Sequence, residues 1–543
     1  MKRMLCLTAL LLTLTAAAFA GPQKTIVPGV TLEQTVTTGT NPLVVNTVRV
    51  DLSRPDIHVK TALGDETVSS TGRQGVSSMT GSAVVGVNAD YFIMNGFRDP
   101  LNLCLRDGEL LSEPGYGRTV IGFDAGNKIY MGVPEFNGCI ITASGERLDV
   151  TGIDRARNQG ERILYTGHMG PTTRSKYAAA DAVLKPEDGD GALHLVSGRS
   201  LQVLEVRPSS VNTPIPKGCF VLSAGGELGT RLCEALHAGD TVTLTLGLSD
   251  EWSGVVNAVG GGPQLVRNGA VFVTGEREGF KADILKGRAP RSAVGFSADR
   301  KTLIIMTVDG RQKHSQGATL SELAALMIAA GARDAMNLDG GGSTALSVFG
   351  LVLNSPSERT ERAVADCLTV LSDYRGTPID FDPGLAGTVY RADQVYSLPL
   401  PDDADPDRLV WGTGGGIGYT LTDNMLRTCS VSSRGTVGFV YDGVRYSWPV
   451  EVSAAPLDKA ECKVSYYDPE RKISRVYFRL LDKAGHPMIY SPVFVKLEGG
   501  VTGRLRHTTD SMGASVFDAV WEAPEGERSV TFSIGSFEQS FVF

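Results

Sequence analysis

The chain has 543 residues, with 60 acidic against 52 basic side chains and a formal net charge of −8. At about 150 residues per domain, that length points to roughly three or four domains and sets no obstacle to burying cores. The acidic balance is spread along the chain without a block of one sign, which argues against nucleic acid as a partner, since such binding rests on a basic surface.

The first element is MKRMLCLTALLLTLTAAAFAG, with two basic residues, an apolar run and a small-residue A-F-A before Gly21. Residues 1–20 read as a secretory signal peptide cleaved after Ala20, so the mature chain is expected to be secreted, periplasmic or extracellular. Loss of Lys2 and Arg3 takes the formal charge from −8 to −10. Cys6 lacks the preceding small residues of a lipoprotein cleavage site, and no later stretch approaches the ~20 apolar residues of a membrane span. Seven cysteines follow the cleavage point, an odd number, so at least one is free or pairs between chains. Cys219 and Cys233 are the most local candidate pair. No CxxC or HExxH spacing occurs and the histidines are scattered singly, so no zinc site is expected.

Residues 21–375 carry the informative chemistry. SSMTGSAVVGVNADYF is a helix-like segment leading into a strand that ends N-x-D, at Asn88 and Asp90. LCLRDGELL and GRTVIGFDAGNKIYM come next, and much later QLVRNGAVF and APRSAVGFSADRKTLIIM repeat their order and character. Between the pairs lies NAVGGGP, with Gly260, Gly261 and Gly262, while Arg291 sits in PRSAVG and Asp309 and Arg311 in VDGRQ. Thr319 and Glu322 have capping-box spacing, and Leu320, Leu323, Ala324, Met327 and Ile328 recur at helical spacing until Gly331 stops the helix. A strand end at Ala335–Leu338 then delivers Asn337 and Asp339, followed by Gly340, Gly341, Gly342 and Ser343, and a second strand over Thr344–Val348. An isolated Asp-Gly pair is a turn whose aspartate bonds its own backbone. Three glycines cost more backbone entropy than a turn requires and imply that something approaches the main chain closely. The repeated order predicts two interlocked halves about a pseudo-twofold axis, an internal duplication that brings Asp90 and Asp339 towards one cleft.

Near residue 375 the texture changes to short alternating runs between turn signals, such as GTVGFVYDGVRYSWPVEV, with LPLPDDADPDR as a long loop. Residues 377–452 and 455–543 are expected to form two immunoglobulin-like modules that space, dock or bind. The fold class expected is α+β: a strand-rich mixed-sheet domain followed by two all-β immunoglobulin-like sandwiches.

NLDGGGST, VNADYF, NAVGGGPQLVRNG, APRSAVGF, MTVDGRQ and ATLSELAALM, in this chain's order, resemble the phosphodiester glycosidase family over roughly two thirds of the sequence, from about Ile26 to Leu371. The resemblance implies a secreted glycoside hydrolase that removes a sugar joined through its anomeric carbon to a phosphodiester in a glycan or cell-surface polysaccharide. The family's characterised reaction favours an alpha-linked N-acetylglucosamine, and its bacterial members are associated with exopolysaccharide biosynthesis.

Elementary chemistry agrees with that expectation. Consecutive amides in a glycine loop form an anion-binding concavity, which Gly340–Gly342 and Gly260–Gly262 are placed to supply. The guanidinium forks of Arg291 and Arg311 suit phosphate. Glycoside hydrolysis ordinarily uses two carboxylates. A departing phosphate monoester is already a stable anion, so an arginine clamp stands in for a strong general acid. Asp339 is the expected nucleophile or base, with Asp90 and Asp309 as candidates for the second carboxylate or for orienting an arginine or sugar hydroxyls. Asn88 and Asn337 would bond sugar hydroxyls, and Ser343 would be a nucleophile only with a base nearby, His314 being the nearest histidine in sequence.

No cofactor is required by this chemistry, although Asp90, Asp309 and Asp339 are hard oxygen ligands and offer a calcium or magnesium site as a rival reading. The other rivals are a non-catalytic polysaccharide-binding or exopolysaccharide-assembly protein and a hydrolase of ordinary glycosides. Oligomeric state is not legible in the sequence.

Overall fold

The structure is a computed structural model that describes residues 18–68, 73–93, 100–402, 404–421, 424–454, 457–468, 470, 472–483, 485, 487–488, 492–501, 504–510, 513–522, 528–534 and 537–543. The bulk of the expected signal peptide, residues 1–17, lies outside them.

Two nine-stranded sheets form the centre. In the first, Leu43–Asp51, Thr302–Val308, Arg291–Phe296 and Asp334–Asn337 lie side by side and antiparallel. In the second, Ile57–Leu63, Asp366–Ser372, Val85–Asn88 and Leu346–Val348 do the same. Arg291–Phe296 and Val85–Asn88 are buried at every position, as expected of central strands covered on both faces. Ile57–Leu63 instead alternates, with Ile57, Val59, Thr61 and Leu63 inward. Val48, Val294, Phe296, Ile305 and Met336 of the first sheet share one apolar cluster with Val59, Val85, Val87, Leu346 and Leu368 of the second.

The other face of the first sheet is covered by the helix Leu320–Ala329. Its capping box forms as the sequence predicts: the Glu322 N–H donates to Thr319 Oγ1, and the Thr319 N–H donates to Glu322 Oε2 at 2.9 Å. Leu320, Leu323, Ala324 and Met327 are buried against Val45, Ile304, Met306 and Val308, and each large apolar side chain so buried contributes about 1.5–3 kcal/mol. Helix, sheet and sheet therefore stack in three layers. A third core joins a five-stranded and an eight-stranded sheet through Leu105, Leu110, Val120, Ile140, Leu184 and Phe220.

The two R-x-G hairpins close with the same turn. Asp107 and Gly108 have φ of 48° and 84°, and Asn268 and Gly269 have 53° and 74°, the conformation a two-residue hairpin loop with a primed turn demands.

The boundary expected at 375–377 is crossed by backbone hydrogen bonding. Leu409–Gly414 pairs with Leu351–Val352, and Ser433–Tyr441, Val444–Ser453 and Thr388–Arg391 continue outwards from it, so 377–452 extends the second central sheet. Val410 and Val440 complete the main apolar cluster, and the Lys24 ammonium donates to the Leu409 carbonyl at 2.8 Å. Alternation in a strand shows that one face is buried but not against what, which is why the sequence reads this segment as a separate module. Residues 457–543, by contrast, form a three-stranded and a four-stranded antiparallel sheet around their own core of Phe478, Val493, Val495, Trp521 and Phe532.

All seven described cysteines are free thiols, Cys219 and Cys233 included. Cys219 packs in a small cluster with Tyr165 and Val221, while Cys233 sits on the helix Gly226–Ala235 against the eight-stranded sheet's core.

Candidate functional site

The two N-x-D strand ends belong to different sheets and meet. The Asn88 side-chain amide donates to the Asp339 carbonyl at 2.6 Å, and the Asp339 N–H donates to the Ala89 carbonyl at 2.8 Å. Asn88 Oδ1 in turn accepts from the Ser292 hydroxyl at 2.7 Å and the Ala345 N–H at 3.1 Å. With donor and acceptor both engaged and no surface exposed, Asn88 is a clamp between the sheets and not the hydroxyl-binding residue expected. Asn337 behaves similarly: its amide donates to the Tyr91 hydroxyl at 2.8 Å and to the Gly262 carbonyl at 3.0 Å. Its Oδ1 is buried and without a partner among the described residues.

The three expected carboxylates separate by environment. Asp90 is 1% exposed; it accepts the Tyr91 N–H at 2.8 Å and the Asn102 N–H at 2.6 Å. Burial, then the neighbouring Asp366, pushes its pKa well above the carboxylate range. Asp309 is equally buried and accepts the Ser355 N–H on both oxygens, at 3.0 and 3.1 Å. It ties down the 354–355 turn, and burial lifts its pKa to about 7. Asp339 alone is half-buried. Its Oδ1 accepts the Gly340 N–H at 2.8 Å, and its pKa rises to about 6 through burial, opposed by the Ser343 hydroxyl, the Gly340 N–H, Arg362 and Arg118. Asp90, Asp309 and Asp339 do not come together, and among the described residues no group of three or more His, Cys, Asp or Glu side chains is placed to hold a calcium or magnesium ion.

The glycine loop is not an open amide nest. The N–H groups of Gly340, Gly341 and Ser343 are taken by Asp339 Oδ1, the Pro290 carbonyl and the Gly340 carbonyl. Each glycine instead admits a neighbour that a side chain would displace. A Cβ on Gly340 would lie 2.8 Å from the Pro290 carbonyl; one on Gly341 would lie 3.1 Å from Arg311 Nη2; one on Gly342 would collide with the Glu358–Arg362 ion pair. In the other run, a Cβ on Gly260 would meet the Asp90 carboxyl at 2.8 Å, one on Gly261 the Asn337 carbonyl at 2.8 Å, and one on Gly262 the Glu278 carboxyl.

The arginines also divide. Arg291 is 3% exposed, with Nε donating to the Ala318 carbonyl at 3.0 Å and Nη2 to those of Ile284 and Gly287 at 2.9 and 2.7 Å. It is anchored by backbone and acts on Asp339 through its charge. Arg311 is exposed, and among the described residues its guanidinium makes no ion pair. Ser343 accepts from Arg362 Nη1 at 3.3 Å, whereas His314 stacks on Tyr419 with centroids 4.3 Å apart.

Three residues of the cluster escape the sequence reading. Asp366, at the start of its strand, is fully buried, accepts the Asp90 N–H at 2.9 Å, and has its pKa raised by burial and by Asp339. Tyr91 donates its hydroxyl to the Gly262 carbonyl at 3.2 Å beside Asp339. Arg118 lies in an aromatic cage, its Cζ 4.3 Å from the Phe280 ring centre, 5.2 Å from Tyr116 and 5.3 Å from Tyr91. Its Nε and Nη1 are buried without a hydrogen-bond partner among the described residues. The signal was present: GRTVIGF set against PRSAVGF puts Arg118 opposite Arg291.

Residues 201–371 match the family described as phosphodiester glycosidase, a stretch that contains Asp339, its glycine loop, Arg291, Arg311, Arg362 and Asp366 but not Asn88, Asp90, Tyr91 or Arg118. The chain is 43% identical over 139 residues to the SPbeta prophage-derived uncharacterized protein YomE of Bacillus subtilis, covering 24% of this chain and 21% of YomE. Among solved structures it is similar to a hypothetical protein from Synechocystis, at 23% identity and a TM-score of 0.53, covering 64% of this chain and 62% of that one. A putative exported protein from Burkholderia pseudomallei has 23% identity and a TM-score of 0.51, over 61% of this chain and 74% of its own. The chain thus spans about a fifth of the curated relative, and the two structures share its fold.

Proposed function

We propose that this chain is an exported phosphodiester glycosidase in which Asp339 is the reacting carboxylate. The observation that carries the reading is partial exposure: of the four aspartates discussed, Asp339 alone is not fully buried, and its carboxyl feels the charges of Arg362 and of Arg118, whose Nε and Nη1 have no partner among the described residues. Arg311 above Gly341 and Arg118 in its aromatic cage would receive the phosphate, while Arg291 and Arg362, held by carbonyls and by Glu358, would position Asp339.

In the proposed reaction the bond between the anomeric carbon and the phosphate oxygen breaks, and its electron pair leaves with the phosphate. The Asp339 carboxylate supplies the replacing pair, directly or through a water it deprotonates. The leaving monoester needs its charge met more than it needs a proton, which the two arginines answer without a strong acid. Asp90 and Asp366, sealed behind Asp339 with raised pKa values, would hold the strand end in place. An alpha-linked N-acetylglucosamine on a glycan or cell-surface polysaccharide is the substrate the family suggests, and the leader-like residues 1–20 support export.

The test is hydrolysis of a sugar-1-phosphodiester and of the matching aryl glycoside by the wild-type chain and by Asp339→Asn. Preference for the phosphodiester, abolished by the substitution, is the expected result. Equal rates on both substrates, or activity that survives the substitution, would overturn the reading.

A further inference from the structure

A cleft of about 840 Å³ opens beside the glycine loop, walled on one side by Arg311, Lys313 and Arg359 and on the other by Tyr419 and Arg427 of the 377–452 segment. Its charge is out of keeping with the chain. On a protein of net charge −8, the described residues of the lining carry five guanidinium or ammonium groups, those of Arg288, Arg311, Lys313, Arg359 and Arg427, and among them one carboxylate, that of Asp393. Arg288 is paired, with Glu322. Arg311, Lys313, Arg359 and Arg427 make no ion pair among the described residues. Like charges gathered in a groove repel one another and persist where an anion meets them.

A further observation points to a ligand. Arg359 Nε and His314 Nε2 are buried with no hydrogen-bond partner among the described residues, and a buried polar atom left unmet is unfavourable. His314 and Tyr419, both in the wall of the cleft, lie nearly parallel, 20° apart, and stack on one another. Burial, and then Arg427, lowers the His314 pKa to about 4, so at neutral pH this wall adds no charge and the anion-binding character belongs to the arginines and Lys313.

We infer that this cleft binds the leaving-group side of the substrate, and that the substrate is a polymer carrying repeated phosphodiesters between sugar or polyol units. Arg311 is the joint: it lines the cleft and stands over Gly341, so a phosphate leaving the site at Asp339 is continuous with the groove. The direction of the chain rests on the reading of Asp339 and Arg311 given above; the binding itself does not. The segment 377–452 then walls the substrate path as well as extending the central sheet.

The test uses the full chain carrying Asp339→Asn, so that binding is read without turnover. A fluorescently labelled poly(glycerol phosphate) is titrated by anisotropy at rising salt, with polygalacturonate and dextran as carboxylate and neutral controls. Expected are salt-sensitive binding of the phosphate polymer, weaker binding of polygalacturonate and none of dextran, with a loss of about tenfold or more when Lys313→Ala and Arg427→Ala are added. Lys313→Ala alone, at an exposed position, gives a smaller loss in the same direction and guards against misfolding of the double variant. With Asp339 restored, the double variant should raise KM for polymeric substrate and leave turnover of a small sugar-1-phosphodiester unchanged. Binding that is absent, indifferent to both variants, or equally tight for polygalacturonate overturns the inference. Cleft-dependent binding without hydrolysis of any sugar-1-phosphodiester would leave the cleft assignment standing and sink the catalytic one.

Discussion

Nη2 of Arg311 stands 3.1 Å from the point that a Cβ on Gly341 would occupy, and Gly341 has a φ of 63°. The middle glycine is therefore required twice, by its left-handed backbone and by the guanidinium above it. Gly341→Ala should lower stability by about 1–2 kcal/mol, the cost of the left-handed conformation in an L-residue. It should also push Arg311 aside and reduce kcat/KM on a sugar-1-phosphodiester by about tenfold or more, a loss of ~1.4 kcal/mol in transition-state stabilisation. Thermal melting and steady-state kinetics separate the two effects. A melting loss with unchanged kinetics would remove Arg311 from the reaction.

Asp339→Asn keeps size and shape and removes the reacting electron pair. Turnover should fall by several powers of ten, each worth ~1.4 kcal/mol, while KM changes little because Arg311 and Arg118 remain. Near-normal turnover in a folded variant would reduce Asp339 to a turn residue.

The Asp339 pKa of about 6 sets two pH dependences with opposite signs. Activity that needs the carboxylate should rise through about pH 6 and level off above it. Stability should move the other way. The native carboxyl holds its proton up to about pH 6 and the unfolded one only to about 3.8, so across that window the native state binds more protons and stability falls as pH rises. Asp339→Asn has no proton to lose, and its melting temperature relative to wild type should climb between those pH values. A constant difference across the window would show that burial does not raise this group.

Arg118 stacks among Tyr91, Tyr116 and Phe280, a setting that suits a planar guanidinium, which stacks and keeps a fork of donors, better than an ammonium. Arg118→Lys should therefore resemble Arg118→Ala, and both should slow a phosphodiester substrate far more than a sugar with a neutral leaving group. Full rescue by lysine would mean that only the charge matters.

Truncation separates the two C-terminal segments. A chain ending at Ala454 loses a unit with its own core of Phe478, Trp521 and Phe532 and should melt close to the full-length temperature. One ending at Asp373 loses Val410 and Val440 from the main cluster and bares the Leu351–Val352 edge; it should aggregate or melt well below. Equal melting of the two would show that 377–452 is independent after all.

Local pattern carried the elements and tertiary contact decided their roles. The capping box at Thr319, the helix face of Leu320, Leu323 and Met327 and the strand that ends at Asn337 were legible because each depends on neighbours within a few residues. So was the importance of Asp339, since three glycines after one carboxylate have no economical use as a plain turn. Burial was not legible. Asp90, Asp309 and Asp339 look alike in sequence, and only the packing of two sheets, with N–H donors from Asn102 and Ser355, seals the first two and leaves the third open. Arg291 and Arg311 likewise differ by whether the carbonyls of Ile284, Gly287 and Ala318 reach them, and Arg118 and Asp366 join the site across folds of more than two hundred residues. A strand's own pattern says that one face is hidden; which partner hides it, as Leu409–Gly414 shows by adding to the central sheet, is settled by the unmet hydrogen bonds and apolar surface of the edge it meets.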